Sequence, residues 1–247
     1  MNKRSKTMNN NTEQQRTRER VKRMFDDIAP TYDRLNHILS LSIDRLWRKR
    51  VVRIVRRANA KRILDMATGT GDLAIAMARN IKEATVLGAD LSPEMLEVAK
   101  QKVTRAGLTE RISLTECDAE HVTLPDESVD AVTVAFGVRN FENREACLRE
   151  LVRVIRPGGM LVVLEFSNPR NALIGWFYRI YSHKILPAIG GAISHNRNAY
   201  QYLPESVDTF PTPEEFMKML CGAGLTAPKA RSQSFGIAQI YTAQKPE

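Results

Sequence analysis

The sequence predicts a single α/β domain built on a mostly parallel β-sheet with helices on both faces. Short apolar segments alternate along the chain with amphipathic segments of about 10–15 residues, which is the pattern of strands joined by helical crossovers. The last two apolar segments lie too close together for such a crossover, so this pair is expected to run antiparallel. The length of 247 residues suits one domain with a substantial core.

The first elements expected along the chain are helical. Residues 13–28 form a polar helical pattern, and residues 44–57 carry an apolar stripe with arginine and lysine on the opposite side. Residues 21–60 are therefore expected to form a helical cover over the domain, which spans residues 21–247. The polar, asparagine-rich residues 1–20 are expected to be a disordered tail.

Strands and helices then alternate to the C-terminus. Ser92 and Pro93 suit the N-cap and first position of a helix. A Pro-Gly-Gly turn at residues 157–159 precedes the fifth strand, and residues 167–211 interrupt the alternation as an insertion. Strands are expected at residues 62–67, 85–89, 111–115, 129–135, 160–166, 225–232 and 236–243, and helices at residues 72–81, 93–105, 143–155 and 212–223.

The chain carries a formal net charge of +9, and the excess lies near the N-terminus. Residues 1–62 hold 18 lysines and arginines against 6 aspartates and glutamates, whereas the rest of the chain holds 19 against 22. Such a cationic block attracts phosphates, either of lipid headgroups or of nucleic acid. A solvated helix face is the alternative interpretation of the same charges.

No targeting or membrane-spanning segment is expected. The N-terminus lacks the apolar core of a secretory signal peptide, and basic residues interrupt the most apolar stretch, residues 172–193. The three cysteines are widely spaced and form no CxxC pair. These features favour a cytoplasmic protein with neither a disulfide framework nor a metal site.

The segment after the first predicted strand has the composition of a nucleotide-binding turn. Gly69 and Gly71, which flank Thr70, let the backbone turn sharply and let a ligand approach closely. The following helix offers free N–H groups at its start. The third glycine of the dinucleotide fingerprint is absent, because Ala74 stands there.

Three carboxylates sharpen this interpretation. Asp65 lies at the end of the first predicted strand, Asp90 ends the second, and Asp118 follows the third. Open α/β sheets bind ligands at the carboxyl ends of their strands, where Asp90 suits ribose hydroxyls and Asp118 the adenine amino group. A turn or cap role is the alternative for any one of them. Together with the Gly-Thr-Gly turn they predict a nucleotide-like ligand.

These features resemble the class I S-adenosylmethionine methyltransferases, through residues 65–72, Asp90, the Asp118-Ala119 pair and the Pro-Gly-Gly turn. Longer stretches resemble the ubiquinone/menaquinone biosynthesis C-methyltransferase family. They read YDRLN at 32–36 with Ser40 and Trp47, FGVRN at 136–140, RVIRPGG at 153–159, LEFS at 164–167 and YQYLPES at 200–206. The resemblance runs from about residue 20 to residue 243. Two positions depart from it: Asp44, where the family usually has histidine, and Thr68, where a smaller residue is common.

The resemblance implies a Rossmann-like fold with strand order 3-2-1-4-5-7-6 and strand 7 antiparallel. It implies S-adenosylmethionine as cofactor, held by Asp65, Gly69, Thr70, Gly71, Asp90, Asp118 and Ala119. It also implies C-methylation of a polyprenylated quinol ring, in particular conversion of demethylmenaquinol to menaquinol. Such catalysis needs positioning, a route for the phenolic proton, and donors that stabilise the phenolate.

Three residues are candidates for that chemistry. Arg139 and Asn140 follow the fourth predicted strand, where the first would stabilise a phenolate and the second would orient a ring hydroxyl. Their alternatives are a salt bridge and a helix N-cap. Tyr32, in the cover, would close the pocket, and its alternative is an ordinary packed tyrosine.

The insertion and its surroundings supply further candidates. His195, Tyr200 and Tyr202 would line the pocket, although a surface or satisfied histidine remains an alternative for His195. Glu165, at the end of the fifth predicted strand, is either a base or a structural carboxylate. The apolar and aromatic residues of 172–193 form either a lid for the prenyl tail and bilayer surface or a helix covering the core.

The expected partners are therefore a prenylated quinol and the surface of an anionic membrane, and no nucleic acid is expected. The oligomeric state stays open. Alternatives to this function are a methyltransferase of the same fold acting on another small molecule, a lipid or RNA, and an NAD-dependent dehydrogenase.

Overall fold

The computed structural model describes residues 19–33, 36, 40, 42–169, 171–180 and 197–247. These residues form a seven-stranded sheet flanked by helices. Within this part of the chain no helix is both long enough and apolar enough to cross a bilayer.

The sheet has the order β3-β2-β1-β4-β5-β7-β6. The first five strands pair in parallel, and β7 runs antiparallel to both β5 and β6. The predicted strand order and the antiparallel closing pair are thus confirmed. The strands are β1 Arg62–Met66, β2 Thr85–Asp90, β3 Ile112–Glu116, β4 Val129–Ala135, β5 Ile155–Phe166, β6 Thr226–Gln233 and β7 Ala238–Gln244.

Eight α-helices of nine or more residues are described. Ser92 caps the fourth through a 3.1 Å bond from the Met95 N–H, with Pro93 at the first helical position as predicted. Thr212 and Glu215 form a capping box at the last. The helices are α1 (residues 19–28), α2 Ile43–Arg57, α3 Asp72–Asn80, α4 Pro93–Arg105, α5 Arg144–Val154, α6 Ala172–Ile180, α7 Arg197–Asp208 and α8 Pro213–Gly222.

The core consists of two apolar layers, one on each face of the sheet. Side chains of a strand alternate between the faces, so Leu161 and Val163 of β5 join one layer while Val162 and Leu164 join the other. Helices α5 and α8 contribute to the first layer, and α2, α3 and α4 to the second. Burial on both faces explains the continuous apolar runs of the central strands.

One predicted boundary is wrong. Helix α5 ends at Val154 and β5 begins at Ile155, five residues before the predicted start of that strand. The Pro-Gly-Gly segment lies within β5 because its backbone pairs with the end of the chain. Gly158 N–H donates to the carbonyl of Lys245, and Lys245 N–H donates to the carbonyl of Gly159. A register shift between β4 and β5 accommodates the segment.

The predicted tail and insertion are described in part. Residues 1–18 lie outside the described residues, and residues 19 and 20 already belong to α1. The insertion contains α6 and α7, while residues 181–196, including His195, lie outside the described residues. The disorder of the tail and the lid role of the insertion therefore stay predictions.

Leu148→Ala tests the packing of the first apolar layer. Leu148 of α5 is fully buried, so its truncation leaves a cavity and is expected to lower the free energy of unfolding by about 2–5 kcal/mol. Urea unfolding measures this. Leu46→Ala, at a position that is 54 % exposed, is the control and is expected to change stability by less than about 0.5 kcal/mol. Equal effects at the two positions would contradict the assigned layer.

Candidate active site

The loop after β1 leaves open space above its backbone. Gly69 has φ +55°, and a Cβ built there meets nothing within 4 Å. Thr68 fixes the loop on the side away from this space. Its N–H donates to the Ala89 carbonyl (3.0 Å), and its Oγ1 donates to Asp65 (2.7 Å). A ligand can thus approach the Gly69 backbone closely without displacing a side chain.

Asp65 lies beneath this loop and is almost fully buried. Its Oδ1 accepts a 2.6 Å bond from Thr133 Oγ1 of β4, and its Oδ2 accepts the bond from Thr68. Burial raises the pKa of Asp65 to about 6, although the two hydroxyl bonds oppose the shift. Asp65 therefore joins the loop to the adjacent strand.

Asp90 and Asp118 follow β2 and β3 at the same edge of the sheet. Asp90 accepts the N–H of Gly69 at 2.7 Å and that of Ser92 at 2.9 Å. Burial raises the pKa of Asp90, and these backbone bonds partly offset that effect. Asp118 accepts the N–H of Glu120 at 3.0 Å.

These elements border a cleft of about 850 Å³, including space open to solvent, at the carboxyl ends of β1 to β4. Its position is the one at which open α/β sheets bind ligands. The residues that line it come from the β1 loop (Met66, Ala67, Gly69), the β2 end (Asp90, Leu91, Ser92), the β3 end (Cys117, Asp118, Ala119, Glu120), the β4 end (Ala135, Phe136, Gly137, Asn140, Phe141, Glu142), Met95, Cys147 and the N-terminal cover (Val21, Lys22, Phe25, Tyr32).

Helix α1 closes one side of the cleft. Asp26 accepts a 2.5 Å bond from the hydroxyl of Ser92, the N-cap residue of α4. Phe25 packs edge-on against Tyr32, with 6.2 Å between the ring centroids. Since this cover lies over the strand ends, it shields the cleft from water on that side.

A cluster of charged side chains ties the cover to the β1 loop. Lys102 of α4 bonds to Asp72 at 2.6 Å, to Thr70 at 3.1 Å and also to Asp33 of the cover. Arg48 of α2 lies 3.3 Å from Asp72 and also pairs with Asp44. The side chains of Thr70 and Asp72 therefore link the β1 loop and the start of α3 to α4, α2 and the cover, and they do not line the cleft.

A buried ion pair lies at the other end of the cleft. Arg139, in the 3-10 turn Val138–Asn140, is 2.8 Å from Glu165 at the end of β5, and both side chains are buried. Glu165 also accepts the N–H groups of Arg139 (3.1 Å) and Phe166 (2.9 Å). Nε of Arg139 has no hydrogen-bond partner among the described residues.

Two polar groups of this end face the cleft. Asn140 accepts a 3.1 Å bond from the hydroxyl of Tyr202 in α7, so its amide nitrogen is left as a donor. Burial raises the pKa of Tyr32, and the nearby charge of Arg139 lowers it in part, so the hydroxyl is protonated at neutral pH. Both groups are therefore hydrogen-bond donors.

Comparison with known proteins agrees with this geometry. The model of the ubiE/COQ5 methyltransferase family matches residues 11–245. The chain belongs to this family. It is 47 % identical to a demethylmenaquinone methyltransferase of Thermus thermophilus, over 90 % of this chain and 100 % of that protein. It is 43 % identical to a ubiquinone/menaquinone biosynthesis C-methyltransferase of Geobacter sulfurreducens, over 92 % of this chain and 89 % of that protein.

Solved structures of lower identity share the fold. A methyltransferase of Aquifex aeolicus is 19 % identical with a TM-score of 0.55, covering 74 % of this chain and 81 % of its own. The methyltransferase SibL is 18 % identical with a TM-score of 0.61, covering 84 % of this chain and 57 % of its own. Membership of the ubiE/COQ5 family makes this chain an S-adenosylmethionine-dependent C-methyltransferase of quinone biosynthesis.

The structure brings six of the ten predicted site residues to the cleft of this methyltransferase and leaves four behind it. Asp65 and Thr70 bond to other protein side chains, Gly71 begins α3 close to Ala99, and Arg139 is paired with Glu165. The six that line the cleft are Tyr32, Gly69, Asp90, Asp118, Ala119 and Asn140. The four behind it are expected to act by holding the others in place.

Several cleft residues were not predicted. Lys22 and Phe25 of the cover and Met95 of α4 line the cleft, and nothing in their local sequence distinguishes them from ordinary surface or core residues. The contact between Lys102 and Asp33 joins positions 69 apart. No cluster of metal-ligating side chains occurs in the described ranges.

Asp65→Asn tests the buried carboxylate. Its native pKa of about 6 lies above that of an unfolded chain, about 3.9, so the folded state binds the proton more tightly. The resulting stabilisation is full below about pH 4 and is lost as the pH rises to about 6. The free energy of unfolding of the wild type, relative to Asp65→Asn, is expected to fall by up to about 3 kcal/mol over that interval.

Urea titrations at several pH values measure this difference. Asp130→Asn is the control, and its effect on stability is expected to depend on pH with the opposite sign. Burial alone would raise the pKa of Asp130, but hydrogen bonds from the Lys61 and Arg62 N–H groups help to lower it below its usual value. The contribution of Asp130 is present above about pH 4 and is lost as the pH falls. A flat difference curve for Asp65→Asn would refute the assigned environment.

Proposed function

We propose that this enzyme methylates a ring carbon of demethylmenaquinol, a prenylated quinol. The observation that carries the proposal is the pair of donors, Tyr32 and Asn140, at the end of the cleft opposite Asp118. A phenolate oxygen needs such donors as its charge develops. The names of the relatives from Thermus thermophilus and Bacteroides fragilis, both demethylmenaquinone methyltransferases, support the same ring.

The cofactor site has the features that an adenosyl ligand needs. Open space stands above the Gly69 backbone, and carboxylates line the cleft at two strand ends. We infer that Gly69, Asp90, Asp118 and Ala119 contact S-adenosylmethionine, with Asp90 at the ribose and Asp118 at the adenine. When bound, this cofactor supplies an electrophilic methyl group. The chain must then orient the acceptor ring and stabilise its anionic form.

Tyr32 and Asn140 would perform that task on the ring oxygen next to the acceptor carbon. Loss of the proton of this hydroxyl to solvent water places negative charge on the oxygen and raises the electron density of the neighbouring ring carbon. The Tyr32 hydroxyl and the Asn140 amide nitrogen each donate to the oxygen, so the phenolate is favoured over the phenol. The bond from Tyr202 keeps the amide of Asn140 in the donating orientation.

Arg139 would act on these donors through its positive charge. Its guanidinium does not line the cleft. Burial raises the pKa of both Tyr32 and Tyr202, and the positive charge of Arg139 partly offsets that rise. The charge is held by Glu165, whose two oxygens are occupied by Arg139 and backbone N–H groups. Of the two alternatives for Glu165, a base or a structural carboxylate, we therefore propose the structural one. Arg139 would be a positioning residue.

A prenylated substrate would explain the presence of the cover and of the insertion. We propose that the cover, residues 21–60, closes over the cofactor and that the insertion, residues 167–211, receives the tail. Helix α1 lines the cleft, Tyr202 of the insertion bonds to Asn140, and Trp176 of α6 is 51 % exposed. Such a substrate is dissolved in lipid, so the enzyme is expected to work peripherally at an anionic membrane surface from the cytoplasm.

The function is tested with purified protein, methyl-labelled S-adenosylmethionine and two short-tailed quinols kept reduced. One is a demethylmenaquinol and the other a benzoquinol precursor of ubiquinone. Mass spectrometry is expected to find one added methyl on the naphthoquinol ring carbon. Asp90→Asn is expected to weaken binding of S-adenosylhomocysteine by about 10–100-fold in calorimetry. Methylation of neither quinol, or of the benzoquinol alone, would overturn the proposed substrate.

The buried ion pair is tested by a double-variant cycle. Glu165→Gln leaves the Arg139 charge buried without its partner and is expected to cost about 3 kcal/mol of stability. Arg139→Met with Glu165→Gln removes both charges and is expected to recover most of that stability. The double variant is nevertheless expected to have a kcat about 100-fold below wild type, because the charge behind Tyr32 is gone. Wild-type kcat in a stable double variant would exclude a role for Arg139.

A further inference from the structure

The exposed side of α2 carries almost only positive charge. Asp44 is the single acidic residue of α2, and it is buried. The neighbouring edge strand β6 contains no acidic residue and adds two exposed cations. The exposed cations of the two elements are Arg45, Lys49, Arg50, Arg53, Arg56, Arg57, Lys229 and Arg231.

These cations lie on one face of the molecule. Leu46, Arg50, Arg53 and Arg57 are spaced as neighbours along one side of a helix. Arg50 donates to the side chain of Gln233 at the end of β6, which places this stripe beside the strand. Alternate residues of a strand share a side, so the exposed Lys229 and Arg231 lie on the side of Gln233 and α2.

An exposed aromatic residue stands at the edge of this cationic area. Phe235, in the turn between β6 and β7, is 80 % exposed. The turn has three successive positive φ values, 44°, 60° and 99°, at residues 234–236. Such angles are costly for a bulky residue and persist only where the surroundings impose them. The protein therefore holds Phe235 in solvent at an energetic cost.

The anchors of the turn come from α2 and from the residue that follows β5. Trp47 of α2 donates to Ser234 Oγ at 3.0 Å, and Ser167 donates from its hydroxyl to the Gly236 carbonyl at 2.6 Å. Leu46, the residue before Trp47, is 54 % exposed. The turn and the start of α2 thus present two apolar side chains from one rigid unit.

This unit adjoins the catalytic cleft. The ring of Trp47 lies 6.2 Å from the ring of Phe136, which lines the cleft. A surface that bound this unit would therefore be close to the substrate end of the site, where β4 and β5 end.

We propose that the exposed cations of α2 and β6, together with Leu46 and Phe235, form the membrane-docking face of the enzyme. The cations bind anionic phospholipid headgroups, and the two apolar side chains enter the boundary between headgroups and acyl chains. The inference rests on the proposed function only in that a prenylated substrate gives docking a purpose. It assigns docking to a surface outside the insertion and the N-terminal tail. A symmetric dimer through this face would bring its own like charges together.

Vesicle co-sedimentation of the full chain tests the face. The probes are vesicles of phosphatidylcholine alone and vesicles that also contain about 30 mol % of the anionic lipid phosphatidylglycerol. Arg53→Gln with Arg57→Gln is expected to weaken partitioning to the anionic vesicles about 30-fold, at about one kcal/mol for each cation. Phe235→Asn, which tolerates positive φ, is expected to weaken it about 10-fold.

The matched control is Arg149→Gln with Lys218→Gln. These exposed cations lie on α5 and α8, on the opposite face of the sheet, and their loss removes the same charge. The control is expected to partition within about threefold of wild type. Thermal unfolding and S-adenosylhomocysteine binding verify that every variant is folded.

The outcomes separate this inference from the proposed function. If the protein methylates a short-tailed quinol in the absence of micelles but does not bind anionic vesicles, the docking face is overturned and the proposed function stands. If the protein binds the vesicles but methylates no quinol, the proposed function is overturned and the docking face stands. Three results would each overturn the docking proposal. The first is an equal loss of vesicle binding in the variants and in the control. The others are a dimer that Phe235→Asn dissociates and RNA that binds this face in preference to vesicles.

Discussion

The site depends on the two hydrogen bonds of one buried carboxylate. Asp65 accepts from Thr68 in the β1 loop and from Thr133 in β4, and both partners are themselves buried. A buried carboxylate is tolerated only with such partners. The bonds fix the loop so that Gly69 faces open space and its N–H reaches Asp90. The cleft is thus preorganised by an interaction that lies beneath it.

A second buried charge defines the other end of the cleft. Arg139 and Glu165 join the segment after β4 to the end of β5, and neither lines the cleft. The positive charge of Arg139 opposes the rise that burial causes in the pKa of Tyr32 and Tyr202. One end of the cleft therefore carries carboxylates, and the other carries hydrogen-bond donors. In the function proposed above, the cofactor occupies the first end and the acceptor ring the second.

The helical cover links the catalytic end of the molecule to its charged exterior. Lys102, Asp33 and Thr70 tie the cover to the loop, and Trp47 of α2 ties it to the turn that carries Phe235. The same elements thus shield the cleft and present cations and an aromatic ring to the outside. The acceptor proposed above, a prenylated quinol, is dissolved in lipid, so an enzyme acting on it needs both features close together.

The sequence by itself determined the fold and the family. Alternating apolar runs and a short closing link predict a mostly parallel sheet with an antiparallel last pair, and the resemblance to the family supplies the strand order. Residues next in sequence to strand ends, such as Gly69, Asp90 and Asp118, necessarily meet at one edge. Tertiary structure alone decided which polar groups face the cleft. Asp65 and Arg139 do not line it. Thr133, 68 residues distant, donates a hydrogen bond to Asp65, and Glu165, 26 residues distant, pairs with Arg139. The start of β5 likewise followed from pairing with Lys245. Such contacts join residues far apart in the chain, so no local pattern encodes them.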